Sequence, residues 1–377
     1  MTAKPKYRRN KTLLAMLWLI GIGVNGYKGV SLHTLEILKK CDIIYFERFT
    51  SPLYEDDLFN LNSLIGGGGG GYDNKRKMVP AERWFVEDGN QILEQAKNEN
   101  VALITYGDPL IATTLSELEV RARKNLINVD VVHSASGITS LIGESGLHMY
   151  KFGRSVTMMS GSNSAISVYN AVFDNLLSGS HTLILTEYNN NDNKFFFLDP
   201  VQVFKMLIDI EKDLKYNVFS EETFVIVASR IGTEQKKIIS GKIKSLTGMS
   251  FETGPHSIII TGPLHFTESD AVRTLTINVD EPTDNSENIQ KISVNMIKKY
   301  TPKAKQAIKQ MKDIIIQENS PSLNKGSIEV LDNAEYYVDD AERFLRQGKH
   351  ELAVLSIGYA EGLIDALRFQ KGINPWL

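Results

Sequence analysis

The sequence predicts an α/β protein: two α/β domains with a cleft between them, followed by an all-α C-terminal domain. Three observations predict it. From Leu17 to Thr261, short apolar runs alternate with stretches of helical spacing, the pattern of strands and helices in turn. A polar segment with Pro282 then runs from Asp280 to Glu287. Beyond it, apolar residues recur only at helical spacing. The boundaries follow: 1–15 a basic flexible extension, 16–135 and 136–281 the two α/β domains, and 286–377 the helices.

The chain has 377 residues, and its 42% hydrophobic and 23% charged content is that of a globular protein with enough apolar surface for two or three cores. A net charge of −3 lacks the basic footprint of a nucleic-acid binder. The single cysteine, Cys41, excludes an internal disulfide and a cysteine-built zinc site. No metal site is expected. Lys4, Lys6, Arg8, Arg9 and Lys11 precede the run Leu13 to Ile22 and give it the look of a signal peptide. No small-residue cleavage site follows, the run is too short to span a bilayer, and it leads straight into a glycine turn. We read a buried strand, no membrane segment, and a cytoplasmic protein.

Leu17 to Ile22 is the first strand, and Leu32, Leu35 and Leu38 share a helix face behind Ser31, an N-cap. Ile43 to Phe46 completes a βαβ unit, whose strands should be parallel. The tract Gly66 to Gly71 mixes no other residue and opens no helix, so it reads as a surface loop rather than a phosphate cradle. Gln91 to Ala96 and Thr114 to Lys124 read as helices, Val101 to Tyr106 and Val129 to His133 as strands. The second alternating set comprises Ser155 to Met159, Ala165 to Leu177, Thr182 to Thr186, Pro200 to Leu214, Thr223 to Ser229 and Ser257 to Thr261. Among the C-terminal helices, Pro302 is expected to break the first stretch in two, and Gly348 to separate Ile328–Arg346 from His350–Gln370.

Four segments could carry chemistry. Gly21-Ile22-Gly23-Val24-Asn25-Gly26 follows the first strand, but its third glycine comes too early for a dinucleotide fingerprint, and a tight turn explains it as well. Tyr106-Gly107-Asp108-Pro109-Leu110 presents an acid just past a strand, either as an ordinary turn or as a carboxylate facing the cleft. His133-Ser134-Ala135-Ser136-Gly137 offers small residues and exposed amides, and serves equally as a hinge. Gly254-Pro255-His256-Ser257 has a lone histidine, without partners at metal-ligand spacing. No Gly-x-Ser-x-Gly or Cys-His arrangement suggests a covalent hydrolase.

Leu17-Trp18-Leu19-Ile20-Gly21-Ile22-Gly23-Val24 resembles the opening strand and loop of the diphthine synthases, members of the tetrapyrrole methylase superfamily. Cys41 to Tyr45 with Thr50-Ser51, Gly107 to Thr114, Gly146 to Gly153, His181-Thr182-Leu183 and Pro255 to Ile260 are similar to later segments of that family, in order, from about Met16 to about Asp280. Gly107-Asp108-Pro109 marks the superfamily, while Ala112-Thr113-Thr114 and Tyr150-Lys151-Phe152-Gly153 mark diphthine synthase within it. The resemblance implies S-adenosylmethionine folded into the cleft, in contact with Val24, Asp108, Ile111, Ser136, Gly137, Thr186, Ile231 and His256. It implies a homodimer, and as protein substrate translation elongation factor 2, whose modified histidine is N-methylated to diphthine in diphthamide biosynthesis. The chain departs from the family at Gly137, at Leu115 and at Thr186-Glu187.

Asp108 is the expected partner of the donor's positive charge. Tyr150, Lys151 and Arg154 are candidates for docking the acidic substrate arm or the protein partner, with a solvated loop as the plain alternative. No general base can be named. The stretch Glu351 to Arg368 resembles a small archaeal helical domain of unknown function. Two rival functions are a corrin or tetrapyrrole methyltransferase and a non-enzymatic adaptor retaining the methylase scaffold.

Overall fold

A computed structural model describes residues 15–52, 54–66, 77–191, 194–286, 289, 292–317, 321–374 and 376. The basic extension (save Ala15) and the glycine tract beyond Gly66 lie outside the described residues. The chain forms two compact units, Met1–Glu287 and Asn288–Leu377.

The first unit opens with β1 (Met16–Gly21), α1 (Leu32–Leu38), β2 (Ile43–Glu47), α2 (Glu55–Gly66), β3 (Lys77–Ala81), α3 (Arg83–Asp88), α4 (Asn90–Gln95), β4 (Asn100–Thr105), α5 (Leu115–Lys124), β5 (Val129–Val132) and α6 (Gly137–Glu144). Its five strands are all parallel, in the order β3-β2-β4-β1-β5. A parallel sheet covered on both faces requires strands that are apolar on both sides. Leu17, Leu19, Val101 and Leu103 pack on one face, and Ile20, Ala102 and Ile104 on the other. Continuous runs, rather than alternation, were therefore the correct strand signal. Leu103 is fully buried, and its truncation to alanine would cost about 2–5 kcal/mol. Ser31 caps α1 as expected, its hydroxyl accepting from the Thr34 amide at 3.0 Å.

The unit continues with β6 (Val156–Met158), α7 (Ser162–Leu177), β7 (Thr182–Thr186), β8 (Tyr188–Asn191), β9 (Lys194–Phe197), α8 (Pro200–Leu214), β10 (Phe224–Ser229), β11 (Lys237–Lys242), α9 (Ile243–Thr247), β12 (His256–Ile260), α10 (Phe266–Leu275) and β13 (Ile277–Asn278). Six strands form a mixed sheet, β13-β11-β10-β12-β7-β6, whose central pairs are antiparallel. β8 and β9 form a separate hairpin. Helix α8 shows why its ends were legible: Asp199 caps it by accepting the Val201 amide at 2.7 Å, Pro200 fills the first turn, and Lys215 ends it in the left-handed region.

Among its described residues the second unit has three helices, α11 (Ile292–Gln317), α12 (Pro321–Arg346) and α13 (His350–Lys371). The expected break at Pro302 is absent, and α11 runs through it. Proline removes one backbone hydrogen bond and costs about 3 kcal/mol in a helix interior. Here Ile297, before the proline, and Ala304, Ile308, Met311 and Ile315, after it, are buried in one core with Leu331, Val338, Ile357 and Ile364. Burial of one continuous face outweighs the local cost. Gly348, at φ +74°, makes the turn between α12 and α13.

Candidate functional site

The loops at the carboxyl ends of β1 and β4 are locked together before any ligand is considered. The Gly23 amide donates to the Gly107 carbonyl at 3.1 Å, and the Gly107 amide returns the bond to Gly23 at 2.9 Å. A Cβ on Gly21 would stand 2.4 Å from the Gly107 carbonyl oxygen, so no larger residue fits there. Beyond these turns a cavity of about 930 Å³ opens between the two sheets. It lies where the strand ends of the parallel sheet face the ends of β7 and β10 and the start of β12, the usual ligand position in open α/β folds.

Seven of the eight predicted residues, Asp108, Ile111, Ser136, Gly137, Thr186, Ile231 and His256, line this cavity. Val24 does not. It is buried, its side chain packs toward Gly137, and its carbonyl accepts the Tyr106 hydroxyl at 2.6 Å. The same hydroxyl lies 2.9 Å from the Ile231 carbonyl, so Tyr106 shares one proton between the first and second halves of the unit. Burial pushes its phenol pKa up, and it stays a donor.

Asp108 is buried and heavily engaged. Its Oδ1 accepts the Leu110 amide at 3.0 Å, and its Oδ2 accepts the Ser134 amide at 3.2 Å and lies 2.9 Å from His133 Nδ1. The turn reading and the site reading thus meet in one side chain, which joins the β4 and β5 loops at the cavity wall. Ser136 caps α6 by accepting the Ile138 amide at 3.2 Å. A Cβ on Gly137 would meet only Val24, at 4.0 Å, so the wall is bare there. The Thr186 hydroxyl donates to the His256 carbonyl at 2.8 Å. His256 is buried with Nδ1 2.8 Å from the Ser229 hydroxyl, and burial lowers its pKa, which keeps the ring neutral.

Lys151 is engaged within the fold. Its ammonium is tied to the Glu268 carboxylate and the Pro263 carbonyl, because the buried Glu268 needs a cation. Tyr150 is exposed and bonds His148 Nδ1 at 2.9 Å, and Arg154 is exposed. None of the three lines the cavity.

Sequence reading missed several residues that line the cavity or support its wall. Glu47 ends β2, is buried, and its Oε2 accepts the Phe49 and Thr50 amides at 2.9 Å each. Burial drives its pKa up against these bonds. The signal was present: an acid closing an apolar run, as at Asp108. Arg83, Trp84 and Tyr188 line the cavity itself, in segments without strong periodicity, and so does Glu187, which the sequence showed only as a departure from the family. Among the described residues, the lining carries four carboxylates, Glu82, Glu87, Asp108 and Glu187, against two guanidiniums, Arg83 and Arg230, a balance that favours a cationic ligand.

Among the described residues, no helix is long and apolar enough to cross a membrane. The family described as Tetrapyrrole (Corrin/Porphyrin) Methylases matches residues 16–247, and one described as a protein of unknown function (DUF357) matches residues 299–373. The diphthine synthase of Methanocaldococcus jannaschii is 32% identical over 267 residues, 70% of this chain and 100% of its own length. That of Methanococcus maripaludis is 33% identical over the same shares. The crystal structure of an Entamoeba histolytica protein assigned as a diphthine synthase superposes with TM-score 0.61 at 30% identity, covering 70% of this chain and 98% of that one. With its two sheets, its intervening cavity and these full-length relatives, the chain belongs to the tetrapyrrole methylase family and groups with the diphthine synthases.

Proposed function

We propose that this methyltransferase uses S-adenosylmethionine to N-methylate the modified histidine of translation elongation factor 2, the step that forms diphthine. The observation that carries the reading is the cavity between the two sheets, lined by seven of the eight residues assigned to the donor. Its volume suits a nucleoside joined to an amino acid. S-adenosylmethionine supplies, when bound, a methyl group already activated on a positively charged sulfur. The protein's part is position and field. Asp108 and the excess of carboxylates favour that charge, while neutral His256 adds no opposing one. Bare Gly137 and the capping Ser136 offer room and backbone at the α6 end, and Thr186 and Ile231 form the facing wall. The acceptor amine releases its proton to water.

The full-length matches to diphthine synthases favour this substrate over a corrin macrocycle, and the intact cavity favours an enzyme over an adaptor. A cytoplasmic homodimer acting on the factor belongs to the same proposal, and sedimentation tests the dimer. The central test incubates the protein with labelled donor and elongation factor 2 carrying the 3-amino-3-carboxypropyl histidine. A modified peptide heavier by one or more methyl groups is expected, and an unchanged peptide mass refutes the reading.

A further inference from the structure

The acceptor just proposed ends in an amino-acid group, so a carboxylate enters the cavity beside the reacting amine. Among the described residues, two guanidiniums line that cavity. Arg230 is committed: its Nε donates to the Gly254 carbonyl at 3.3 Å and its NH1 to Gln235. It sits among residues assigned to the donor, next to Ile231. Arg83 stands at the opposite rim, at the start of α3. Its guanidinium lies over the Phe49 ring, 4.8 Å from the centroid. A planar cation held by its face has its N–H edges free for other partners.

The support beneath Arg83 is built into the core. Buried Glu47 accepts the Phe49 and Thr50 amides and the Thr105 hydroxyl, so the loop bearing Phe49 is fixed to β2 and β4. Phe49 in turn lies beneath the Arg83 guanidinium. Arg83 pairs with Glu87, one helical turn on, at 3.4 Å and exposed. Such a pair is weak, and a carboxylate arriving from the cavity competes with it readily. A two-pronged guanidinium–carboxylate contact is both stronger and directional.

We infer that Arg83, oriented by Phe49 and Glu47, receives the carboxylate of the substrate arm and so selects the acidic acceptor. The inference rests on the proposed reaction, and the test separates the two. Methylation is measured on elongation factor 2 carrying the arm as the free acid and as the neutral carboxamide, with the unaltered enzyme and with Arg83→Gln. The unaltered enzyme is expected to prefer the acid by roughly tenfold or more in kcat/KM, the scale of one charged hydrogen-bonded contact. Arg83→Gln should raise KM for the acid by a similar factor, leave the donor's Kd unchanged, and lose the preference between the two acceptors. Arg83→Lys should restore part of it. An Arg83→Gln enzyme that still prefers the acid overturns the inference while leaving the proposed reaction standing. An unaltered enzyme that methylates neither acceptor overturns both.

Discussion

Asp108 serves three donors at once, two amides and an imidazole, and this decides what its loss would do. Asp108→Ala leaves the Leu110 and Ser134 amides without their acceptor, at about 1–3 kcal/mol. The β4 and β5 loops should part, and the donor should bind more weakly. Titration calorimetry reads this directly, and unchanged donor affinity would remove Asp108 from the site. Glu268 is a second buried acid of the unit. Burial raises its pKa, but Lys151, the amides of His148 and His265, and His181 more than reverse this and bring it to about 2. Its folded pKa is depressed, so its contribution is complete above the ordinary 4.5 and is lost as pH falls towards 2. His181 and His256 are also depressed, by burial, so the unfolded chain takes up protons that the folded one refuses. Stability should therefore begin to fall as pH drops below the ordinary 6.5, and fall again below 4.5. Thermal melts across this range test both steps. Glu268→Gln should lower stability at pH 7 by about 3–5 kcal/mol and flatten the acid step.

Among the elements, α11 carries a cost that can be removed. Pro302 lies inside the helix, so Pro302→Ala should restore one backbone bond and stabilise the second unit by up to about 3 kcal/mol. Differential scanning calorimetry would show a higher melting temperature; a lower one would mean that the local bend is needed for packing. Tyr106, in the loop after β4, tests the coupling of the two halves of the first unit. Tyr106→Phe keeps the ring and removes the hydroxyl that faces the Val24 and Ile231 carbonyls. A loss of about 0.5–1.5 kcal/mol is expected, with a raised KM for the donor, since both carbonyls flank residues assigned to it.

For the whole molecule, sequence and structure divide the work. A relative's whole length is covered by 70% of this chain, and the helical unit matches a separate family over residues 299–373. We propose that a chain ending at Glu287 still binds the donor with unchanged affinity, which calorimetry on the shortened protein would check; failure to bind would tie the helices to the site. The sequence by itself determined the strands buried on both faces, the capped helices α1 and α8, the all-helical tail and the loops that reach the cavity. Each depends on neighbours close in the chain: apolar runs, a serine or aspartate at a helix start, glycine where Cβ has no room. Tertiary structure alone decided the rest. It carried α11 through Pro302, because a shared core outweighed one lost backbone bond. It turned Lys151 inward, because buried Glu268, distant in sequence, required a charge. And it set Arg83 over Phe49 and Glu47 beneath, since which side chains meet across a cavity is fixed by packing between strands, not by spacing along the chain.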